Sequence, residues 1–430
     1  MASTRILVVG AGFAGLYTAM GLKRAVRDGH RVTVVNSENF MQYQPFLPEV
    51  ASGTIDPRAV VVPLRTALRH CEIVVGTVDR VDHTKRRAVA TLADGSEREL
   101  AYDVIVLAPG STSRVLPIPG LAENGVGFKT IQEAIHLRNH ALSRLDVAAA
   151  TDDEDRRRAA LTFVFVGGGY AGVEALGELE DLVHDAMRTY PSLAASDARW
   201  ILVDVAPKIL PELGDDLAAY AQDRLVERGI EVALNTRLES YLDGTVALSD
   251  GRSFEADTLV WTAGVRPSPL AKASGLPVDD AGRILTDEYL RVRDLDGAWA
   301  AGDAAAVADR TTGSLSPPTA QYGLRQGRRL ARNILASLVG HELQPFEHRN
   351  IGVVCSLGHY KGVCQIWGVK LKGFPAWFAH RTYHLYAMPT LTRKAKIAAD
   401  WTVALLFPRD LAQLGSLERP REPFERAAKQ

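Results

Sequence analysis

The chain contains the same glycine-rich turn twice, as GAGFAG at residues 10–15 and as GGGYAG at residues 167–172. Each copy follows a short run of β-branched and other apolar residues and precedes a stretch rich in alanine and leucine at helical spacing. Between a strand and a helix, G-x-G-x-x-G is typical of a dinucleotide pyrophosphate site, because the glycines permit a tight turn and the helix N-terminus presents free N–H groups. One copy alone also occurs in ordinary glycine-rich turns. Two copies predict two dinucleotides, and the natural pair is a flavin and a nicotinamide.

The composition predicts a folded protein of two or three domains. The chain has 430 residues, 47% of them hydrophobic and 23% charged, which is ordinary for globular domains. A net charge of −1 gives no general attraction for nucleic acid, so we expect no such partner. No apolar run reaches the length of about 18 residues that a transmembrane helix needs. The first strand begins too early to leave room for a secretory signal, which favours a cytoplasmic location.

The cysteines exclude one class of flavoenzyme. Cys71, Cys355 and Cys364 form no C-x-x-C pair, and the stretch 36–58 after the first Rossmann unit contains none of them. A flavin disulfide reductase needs a close cysteine pair beside the flavin, so we do not expect that chemistry. No cluster of histidine and cysteine has the spacing of metal ligands, so we expect no metal.

Polar and small residues after the first turn are candidates for holding the flavin nucleotide. The next strand ends at Asn36, where a dinucleotide fold places an acid on the ribose hydroxyls, and an asparagine can still donate and accept there. Segment 40–53 is either a rigid loop along a cofactor or an ordinary surface loop. Two further strands end in the small residues 108–111 and in Gly302-Asp303. Small residues allow a cofactor to approach the backbone, and the Asp303 carboxylate can accept from a ribityl hydroxyl.

The second turn has its own set of candidates. The strand that follows it ends at Asp204, whose carboxylate favours NADH over NADPH because it bonds a ribose 2′-hydroxyl and repels a 2′-phosphate; Lys208 lies nearby. Glu174 lies just inside the helix that begins at this turn. It is either a favourable acid in a first helical turn or a group that faces the crevice between nicotinamide and flavin. At Gly264, a small residue again permits close approach to a ring.

The order of these units predicts an α/β fold with two Rossmann-like dinucleotide-binding domains. The FAD domain is discontinuous and comprises residues 1–115 and 280–345. The NADH domain, residues 116–279, is inserted between its two parts. Residues 346–430 form a basic, aromatic C-terminal segment.

The order of the motifs resembles that of two-dinucleotide flavoprotein reductases with a glutathione-reductase-like fold. Ala320-Gln321 and the C-terminal segment narrow the resemblance to type II NADH:quinone dehydrogenases. The resemblance implies that FAD is held by Gly10, Gly12, Gly15, Asn36 and Asp303, and NADH by Gly167, Gly169, Gly172 and Asp204. It also implies that Glu174 lies near the nicotinamide and Gln321 at the quinone end of the flavin. The small residues of the turns add Ala14, Ala108, Gly110 and Gly302 to the FAD site and Gly264 to the NADH site.

The sequence departs from this family at two positions. The family usually has a second glutamine four residues after the first, and here that position is Arg325, with Gln326 following it. An arginine can bond a quinone carbonyl, and it can equally indicate a different acceptor. Asn36 stands where the family normally has an acid.

The C-terminal segment has the composition of a membrane-surface element. Between His348 and Ala399 there is no aspartate or glutamate, and the cations there are Arg349, Lys361, Lys370, Lys372, Arg381, Arg393, Lys394 and Lys396. Trp367, Trp377 and Trp401 lie among or just beyond them. Aromatic residues beside basic ones indicate binding to an anionic membrane surface, here the inner face of the cell membrane. A homodimer interface or a solvated basic face would have the same composition.

These observations predict an FAD-dependent enzyme that oxidises NADH and passes two electrons to a membrane quinone, menaquinone or ubiquinone, without pumping protons. Glu174, Gln321 and Arg325 are the residues expected at the reacting groups. Two alternatives remain open. One is a soluble NAD(P)H-dependent reductase or oxidase that uses a non-quinone acceptor or a quinone-like metabolite. The other is a flavin-bound redox sensor. A sulfide:quinone reductase would need a cysteine pair at the flavin.

Overall fold

The structure, a computed structural model, describes residues 3–311, 313–348, 352–413 and residue 427. Two sheets, one mostly parallel and one fully parallel, are each flanked by helices and form the centre of the fold. In chain order the helices of the described residues are α1 Phe13–Gly21, α2 Lys23–Arg27, α3 Leu47–Ala51, α4 Leu64–Ala67, α5 Leu121–Asn124, α6 Ile131–Ala150, α7 Glu154–Ala160, α8 Tyr170–Met187, α9 Asp215–Val226, α10 Pro269–Ala273, α11 Ala320–Leu338, α12 Phe374–Ala387 and α13 Leu391–Leu406.

Most strands are short, and they form several sheets. In chain order they are β1 Arg5–Val9, β2 Arg31–Asn36, β3 Phe40–Gln42, β4 Val61–Pro63, β5 Glu72–Asp82, β6 Arg87–Leu92, β7 Glu97–Ala101, β8 Val104–Leu107, β9 Ser111–Ser113, β10 Val126–Gly127, β11 Thr162–Val166, β12 Arg199–Val203, β13 Ile230–Ala233, β14 Leu238–Leu242, β15 Thr245–Leu248, β16 Ser253–Glu255, β17 Thr258–Trp261, β18 Val265–Pro267, β19 Ile284–Leu285, β20 Ala298–Ala300, β21 Ala305–Ala306, β22 Ala308–Asp309, β23 Ser314–Leu315, β24 Gly352–Ser356, β25 Gly362–Ile366 and β26 Val369–Lys372.

The first sheet has the order β20-β8-β1-β2-β5-β6-β7. The pairs from β20 to β5 are parallel, and β6 and β7 add an antiparallel edge. Residues 6–9 of β1 are fully apolar and buried, as expected for a parallel strand that is covered on both faces. The first glycine turn lies at the carboxyl end of β1 and leads into α1, so the sequence motif occupies the crevice end of the sheet.

The second sheet is parallel, with the order β10-β17-β11-β12-β13. The second glycine turn connects its central strand β11 to α8. The two sheets confirm the predicted α/β fold with two Rossmann-like units. After the second sheet the chain returns to the first one, since β20 pairs with β8 and α11 packs against α1. This return is compatible with a discontinuous first domain; the predicted boundaries at 115, 280 and 345 remain predictions.

Helices α1 and α11 approach each other closely because small residues line their contact. A Cβ placed on Gly327 would lie 2.3 Å from the backbone oxygen of Ala14, and one placed on Gly21 would lie 2.5 Å from the Cβ of Ala331. The close contact fixes the start of α11, where Gln321 lies, relative to the first glycine turn.

The C-terminal segment begins with a three-stranded antiparallel sheet, β24-β25-β26, against which α12 packs. Helix α13 follows, and Ile397 is its one buried residue. Arg349 and most of the segment after residue 413 lie outside the described residues. Among the helices that the structure describes, none combines the length and the apolar character needed to cross a bilayer.

Candidate active site

The first glycine turn forms a cradle at the N-terminus of α1. Gly10 has φ +89°, and a Cβ there would lie 2.3 Å from the backbone oxygen of Ala108, so only glycine fits. Gly12 caps α1 without a side-chain hydrogen bond, and nothing lies within 4 Å of the place where its Cβ would be. The first N–H groups of α1 therefore face open space, which is the donor set that a pyrophosphate needs.

A cavity of about 640 Å³ opens at this cradle. Most of the predicted FAD residues line it, namely Gly12, Ala14, Asn36, Ala108, Gly110, Gly302 and Asp303. Gly10 and Gly15 lie behind the wall, where they allow the turn to close: a Cβ on Gly15 would lie 1.8 Å from the backbone oxygen of Gly10. The size and the free amides fit the nucleotide of a bound flavin dinucleotide.

Asn36 supports the turn with its amide group. Its Oδ1 accepts the N–H of Ala11 at 2.8 Å, and its Nδ2 donates to the backbone oxygens of Glu38 and Phe40 at 2.9 and 3.3 Å. The exposed carboxylate of Glu38 lines the same cavity two residues further on. A carboxylate therefore lies at this cavity close to the strand end, at Glu38, which sequence reasoning missed.

Asp303 and Lys129 both line the first cavity and are linked through Ser111. Ser111 Oγ donates to the Asp303 carboxylate at 2.5 Å, and Lys129 Nζ donates to Ser111 Oγ at 3.0 Å. Burial lowers the pKa of Lys129, and attraction from Asp303 and Glu133 opposes that shift. Lys129 was not predicted from the sequence, although Thr130 and Glu133 form a capping box that marks the helix start beside it.

A second, mainly apolar cavity of about 410 Å³ adjoins the first. The two are contiguous, since they share the lining residues Phe13, Gln44, Ser113, Lys129, Val265, Pro318, Thr319 and Ala320. One wall of the second cavity comes from the second Rossmann unit and includes Tyr170, Glu174 and Gly264. The opposite wall comprises Tyr43, Pro45, Leu47, Pro48, Gln321, Leu324, Tyr383, His384 and Ala387. The structure thus brings Glu174, Gln321 and Gly264 to one chamber.

Gln321 is held in this wall by two aromatic partners. Its Nε2 lies 3.5 Å from the hydroxyl of Tyr383, and its Oε1 lies 3.3 Å from Nε2 of His348. Burial, and after it the charge of Arg325, lowers the pKa of His348 to about 4, so this ring is neutral at physiological pH. Arg325 does not line the cavity; its Nη1 contacts the His348 ring. Gln326 is buried and accepts the N–H of Gly302 at 2.7 Å.

The second glycine turn repeats the local geometry of the first. Gly167 has φ +120°, and a Cβ on Gly172 would lie 1.9 Å from the backbone oxygen of Gly167. Gly169 caps α8 without a side-chain hydrogen bond. Asp204 accepts the N–H groups of Gly168 and Ala206, so both of its oxygens face backbone amides. The nearby Lys208 is paired with Asp215 at 2.7 Å.

Glu174 is buried, and it lies past the first turn of α8. The interpretation as an ordinary acid in a first helical turn is therefore wrong. Its Oε1 accepts the N–H of Ser356 at 2.9 Å and lies 3.1 Å from Nε2 of His380. The side chain thus ties α8 to β24 and α12 while lining the second cavity.

Comparison with known proteins identifies the family. Residues 4–327 match the model of the pyridine nucleotide-disulphide oxidoreductases. The chain is 31% identical to the type II NADH:quinone oxidoreductase Ndh of Mycobacterium tuberculosis, over 94% of this chain and 89% of that protein. It is 30% identical to a type II NADH:quinone oxidoreductase of Staphylococcus epidermidis, over 87% and 92% of the two chains. The fold matches NDH2 from Plasmodium falciparum in complex with NADH with a TM-score of 0.89 at 15% identity, over 96% of this chain and all of that one. The chain therefore belongs to the type II NADH:quinone oxidoreductases, within the pyridine nucleotide-disulphide oxidoreductase family.

Proposed function

We propose that this protein uses FAD to oxidise NADH and to reduce a membrane quinone, without pumping protons. The observation that carries the proposal is the second cavity, because one of its walls belongs to the nicotinamide unit and the other carries Gln321. A nicotinamide and a quinone that enter this chamber from its two sides both reach its junction with the flavin cavity. The activity that the relatives' names state, NADH to quinone, agrees with this arrangement.

The first cavity would hold FAD. The free amides at the start of α1 would bind its pyrophosphate, Glu38 the adenosine ribose, and Asp303 a ribityl hydroxyl. When bound, FAD supplies the chemistry of accepting a hydride and giving up electrons. Lys129 places a half-buried ammonium at the junction of the two cavities, where it would stabilise negative charge.

NADH would bind over the second glycine turn. The α8 N-terminus would hold its pyrophosphate, and the Asp204 carboxylate would bond the adenosine ribose after exchanging one backbone partner for a hydroxyl. This acid disfavours a 2′-phosphate, and Lys208 does not offset it because its charge is paired with Asp215. Glu174 and Gly264 would then border the nicotinamide.

The quinone head group would bind against the opposite wall. His348 bonds Oε1 of Gln321, which leaves the Nε2 group to donate to a quinone carbonyl beside the Tyr383 hydroxyl. Arg325 does not itself line the second cavity and would act only through His348, whose pKa is lowered first by burial and then by the charge of Arg325. The arginine at the family's second glutamine position is thus compatible with a quinone acceptor, either menaquinone or ubiquinone.

Helices α12 and α13 would dock the protein on the inner face of the cell membrane. Their exposed large apolar side chains are Phe374, Phe378, Tyr386, Leu391, Val403, Leu405 and Leu406, with Phe407 directly after α13. Arg393, Lys394 and Lys396 lie on the same helix α13. Apolar side chains beside cations bind the headgroup region of anionic lipid. A dimer formed through residues 346–430 remains a prediction.

The decisive experiment follows the colour of the purified protein. We expect a yellow protein that bleaches when NADH reduces its flavin anaerobically and that recolours when a quinone reoxidises the flavin. Turnover should be faster with menaquinone or ubiquinone than with oxygen. A colourless protein would contradict FAD binding. Bleaching without recolouring by any quinone would favour the alternatives, a soluble reductase or a redox sensor.

Sedimentation with vesicles tests the membrane surface. Replacing Leu405, Leu406 and Phe407 by serine should release the protein from vesicles of anionic lipid while the bound flavin is retained. The matched control replaces the exposed Val226 and Leu242 of the second Rossmann unit and should leave sedimentation unchanged. Equal release in both variants would exclude α13 as the docking element.

A further inference from the structure

A cluster of buried ionisable side chains lies directly behind the second cavity, where α3, α8 and α12 meet. Its members are Glu49, Glu174, Glu178, His380 and Arg381. Arg381 Nη2 lies 2.9 Å from Glu49 Oε2, which also accepts from the indole of Trp401 at 2.7 Å. Glu49, Glu178 and His380 are each 2% exposed, so water does not screen their charges.

This cluster contains more carboxyl groups than cations. Burial raises the pKa of Glu49, and attraction to Arg381 opposes that shift. Three carboxylates face one guanidinium, and a buried carboxylate without a cation is costly. His380 lies 3.1 Å from Glu174 and is the other group that can become positive. Burial by itself lowers the pKa of His380, but attraction to Glu174 together with that of Glu49 and Glu178 raises it above its usual value. Both ring nitrogens of His380 are buried, and neither has a hydrogen-bond partner with good geometry, although Nε2 faces the Glu174 carboxylate at 3.1 Å.

From His380 a chain of polar groups leads to the second cavity. His384 lies one turn further along α12, and its ring meets that of His380 edge to face, with the centroids 4.6 Å apart and no hydrogen bond between them. A proton passes between the two rings only after a small rotation of one of them. Nδ1 of His384 lies 3.1 Å from the hydroxyl of Tyr43. Burial and then the neighbouring His380 lower the pKa of His384, while burial raises that of Tyr43, so both are neutral. A neutral imidazole between two proton carriers accepts a proton on one nitrogen and releases one from the other.

The cluster also has a route towards the surface. Ser52 Oγ donates to Glu178 Oε2 at 2.9 Å and lies 2.9 Å from Thr54 Oγ1. Ser52 is fully buried, whereas Thr54 is half-buried. These two hydroxyls connect Glu178 to a partly exposed side chain, which is the direction from which a proton lost by the cluster would be replaced.

The proposed function requires one proton that NADH does not bring. Reduction of a quinone to a quinol takes two electrons and two protons, and a hydride carries two electrons and one proton. The balance NADH + H⁺ + quinone → NAD⁺ + quinol therefore draws one proton from the protein. We propose that His380 supplies it through His384 and Tyr43, both of which line the cavity. An N–H bond of His380 breaks, an O–H bond of the quinol forms, and no electrons move in this step.

The experiment separates proton delivery from electron delivery. His380→Gln, His384→Gln and Tyr43→Phe are compared with the wild type by stopped flow, first for bleaching by NADH and then for recolouring by a short-chain quinone or by ferricyanide, which accepts electrons without protons. We expect recolouring by quinone to slow roughly 10- to 100-fold in all three variants. Bleaching, recolouring by ferricyanide and flavin content should stay within about twofold of the wild type. His83→Gln, a half-exposed histidine far from α12 in the fold, serves as the matched control and should change nothing.

The pH profile provides the second readout. Recolouring of the wild type by quinone should slow as the pH rises through the raised pKa of His380, and this inflection should disappear in His380→Gln. The relay is overturned if ferricyanide and quinone slow equally, or if the inflection persists in His380→Gln. Should His380→Gln not fold, Tyr43→Phe decides, since it removes one oxygen and keeps the ring. The relay rests on the proposed function: a wild-type protein that ferricyanide recolours and quinone does not would overturn that function and the relay with it.

Discussion

The two glycine turns use the same local device with different charge. In each, the polar residue at the end of the following strand accepts the N–H of the second residue of the turn: Asn36 accepts from Ala11, and Asp204 from Gly168. The asparagine also donates to the loop that follows, whereas the second oxygen of the aspartate accepts the N–H of Ala206. The shared contact shapes the turn. Under the proposed function, the acid that bonds the adenosine ribose would be Glu38 in the first unit and Asp204 in the second.

The largest effect should come from valine at equivalent glycines of the two turns. Gly12 and Gly169 each cap their helix, and nothing lies within 4 Å of either added Cβ, so neither variant clashes within the protein. A valine there occupies the space of a pyrophosphate. We expect Gly12→Val to be folded and colourless, and Gly169→Val to be yellow but no longer bleached by NADH. The absorbance spectrum before and after NADH reports both; a yellow Gly12→Val would end the assignment of the first cavity to FAD.

Exchanging the two strand-end residues should give a smaller effect. Asp204→Asn keeps the acceptor for Gly168 and removes the charge, so KM for NADH should rise roughly 10-fold, as for the loss of a charged hydrogen bond, and NADPH should be rejected less strongly. Asn36→Asp loses the donor to Glu38 and should weaken flavin binding without changing the preference between the two nucleotides. The ratio of kcat/KM for NADH and NADPH is the measurement. An unchanged ratio in Asp204→Asn would show that Asp204 only shapes the turn.

The two walls of the second cavity should respond separately to loss of His348. His348→Ala removes the contact that orients Gln321, which at about 1 kcal/mol corresponds to a roughly 5-fold higher KM for quinone. KM for NADH should not change, because the NADH wall has no contact with His348 among the described residues. Steady-state kinetics with each substrate varied in turn would show this. A rise in both constants would indicate a general loss of packing.

The smallest effect, on stability, should have opposite signs at two histidines. The pKa of His380 is raised in the folded protein, so its stabilisation is present below the pKa of the unfolded chain and is lost as the pH rises through the folded-state value. The pKa of His348 is about 4, so its neutral form costs stability as the pH falls below the usual value towards 4. Between about pH 6 and pH 9 the Tm of the wild type should fall more than that of His380→Gln. Between about pH 7 and pH 4 it should fall more than that of His348→Gln. Parallel curves would mean that these histidines do not titrate as described.

The fold and the nucleotide turns could be predicted because their determinants are local. A strand, a glycine turn and a helix lie within a few residues of one another, and Asp204 and Asn36 follow at the expected distance. The buried cluster behind the second cavity could not be predicted in the same way. Glu174 and Glu178, like His380 and His384, are four residues apart on one helical face, which is a readable signal. That these faces meet each other and Glu49 depends on long-range packing of α3, α8 and α12, which no local pattern contains.

Arg325 is placed at the reacting groups by the family resemblance, since it stands where the family usually has a second glutamine, four residues after Gln321. That role is still a prediction. In the structure Arg325 contacts His348, which in turn contacts Gln321, and of these three residues only Gln321 lines the second cavity. His348 comes from the chain beyond the end of α11, so its position follows from tertiary packing and not from the helix.

Helix α12 belongs to two environments at once. Tyr383 and His384 of this helix line the second cavity. Other large side chains of the same helix are exposed on the outside of the protein, namely Phe374, Phe378 and Tyr386. A water-insoluble substrate that enters beside this helix can keep its isoprenoid chain in lipid while only its ring leaves the bilayer. The protein would then not have to extract the whole quinone from the bilayer. A detergent that binds the outer side of α12 would slow turnover even with a water-soluble, short-chain quinone.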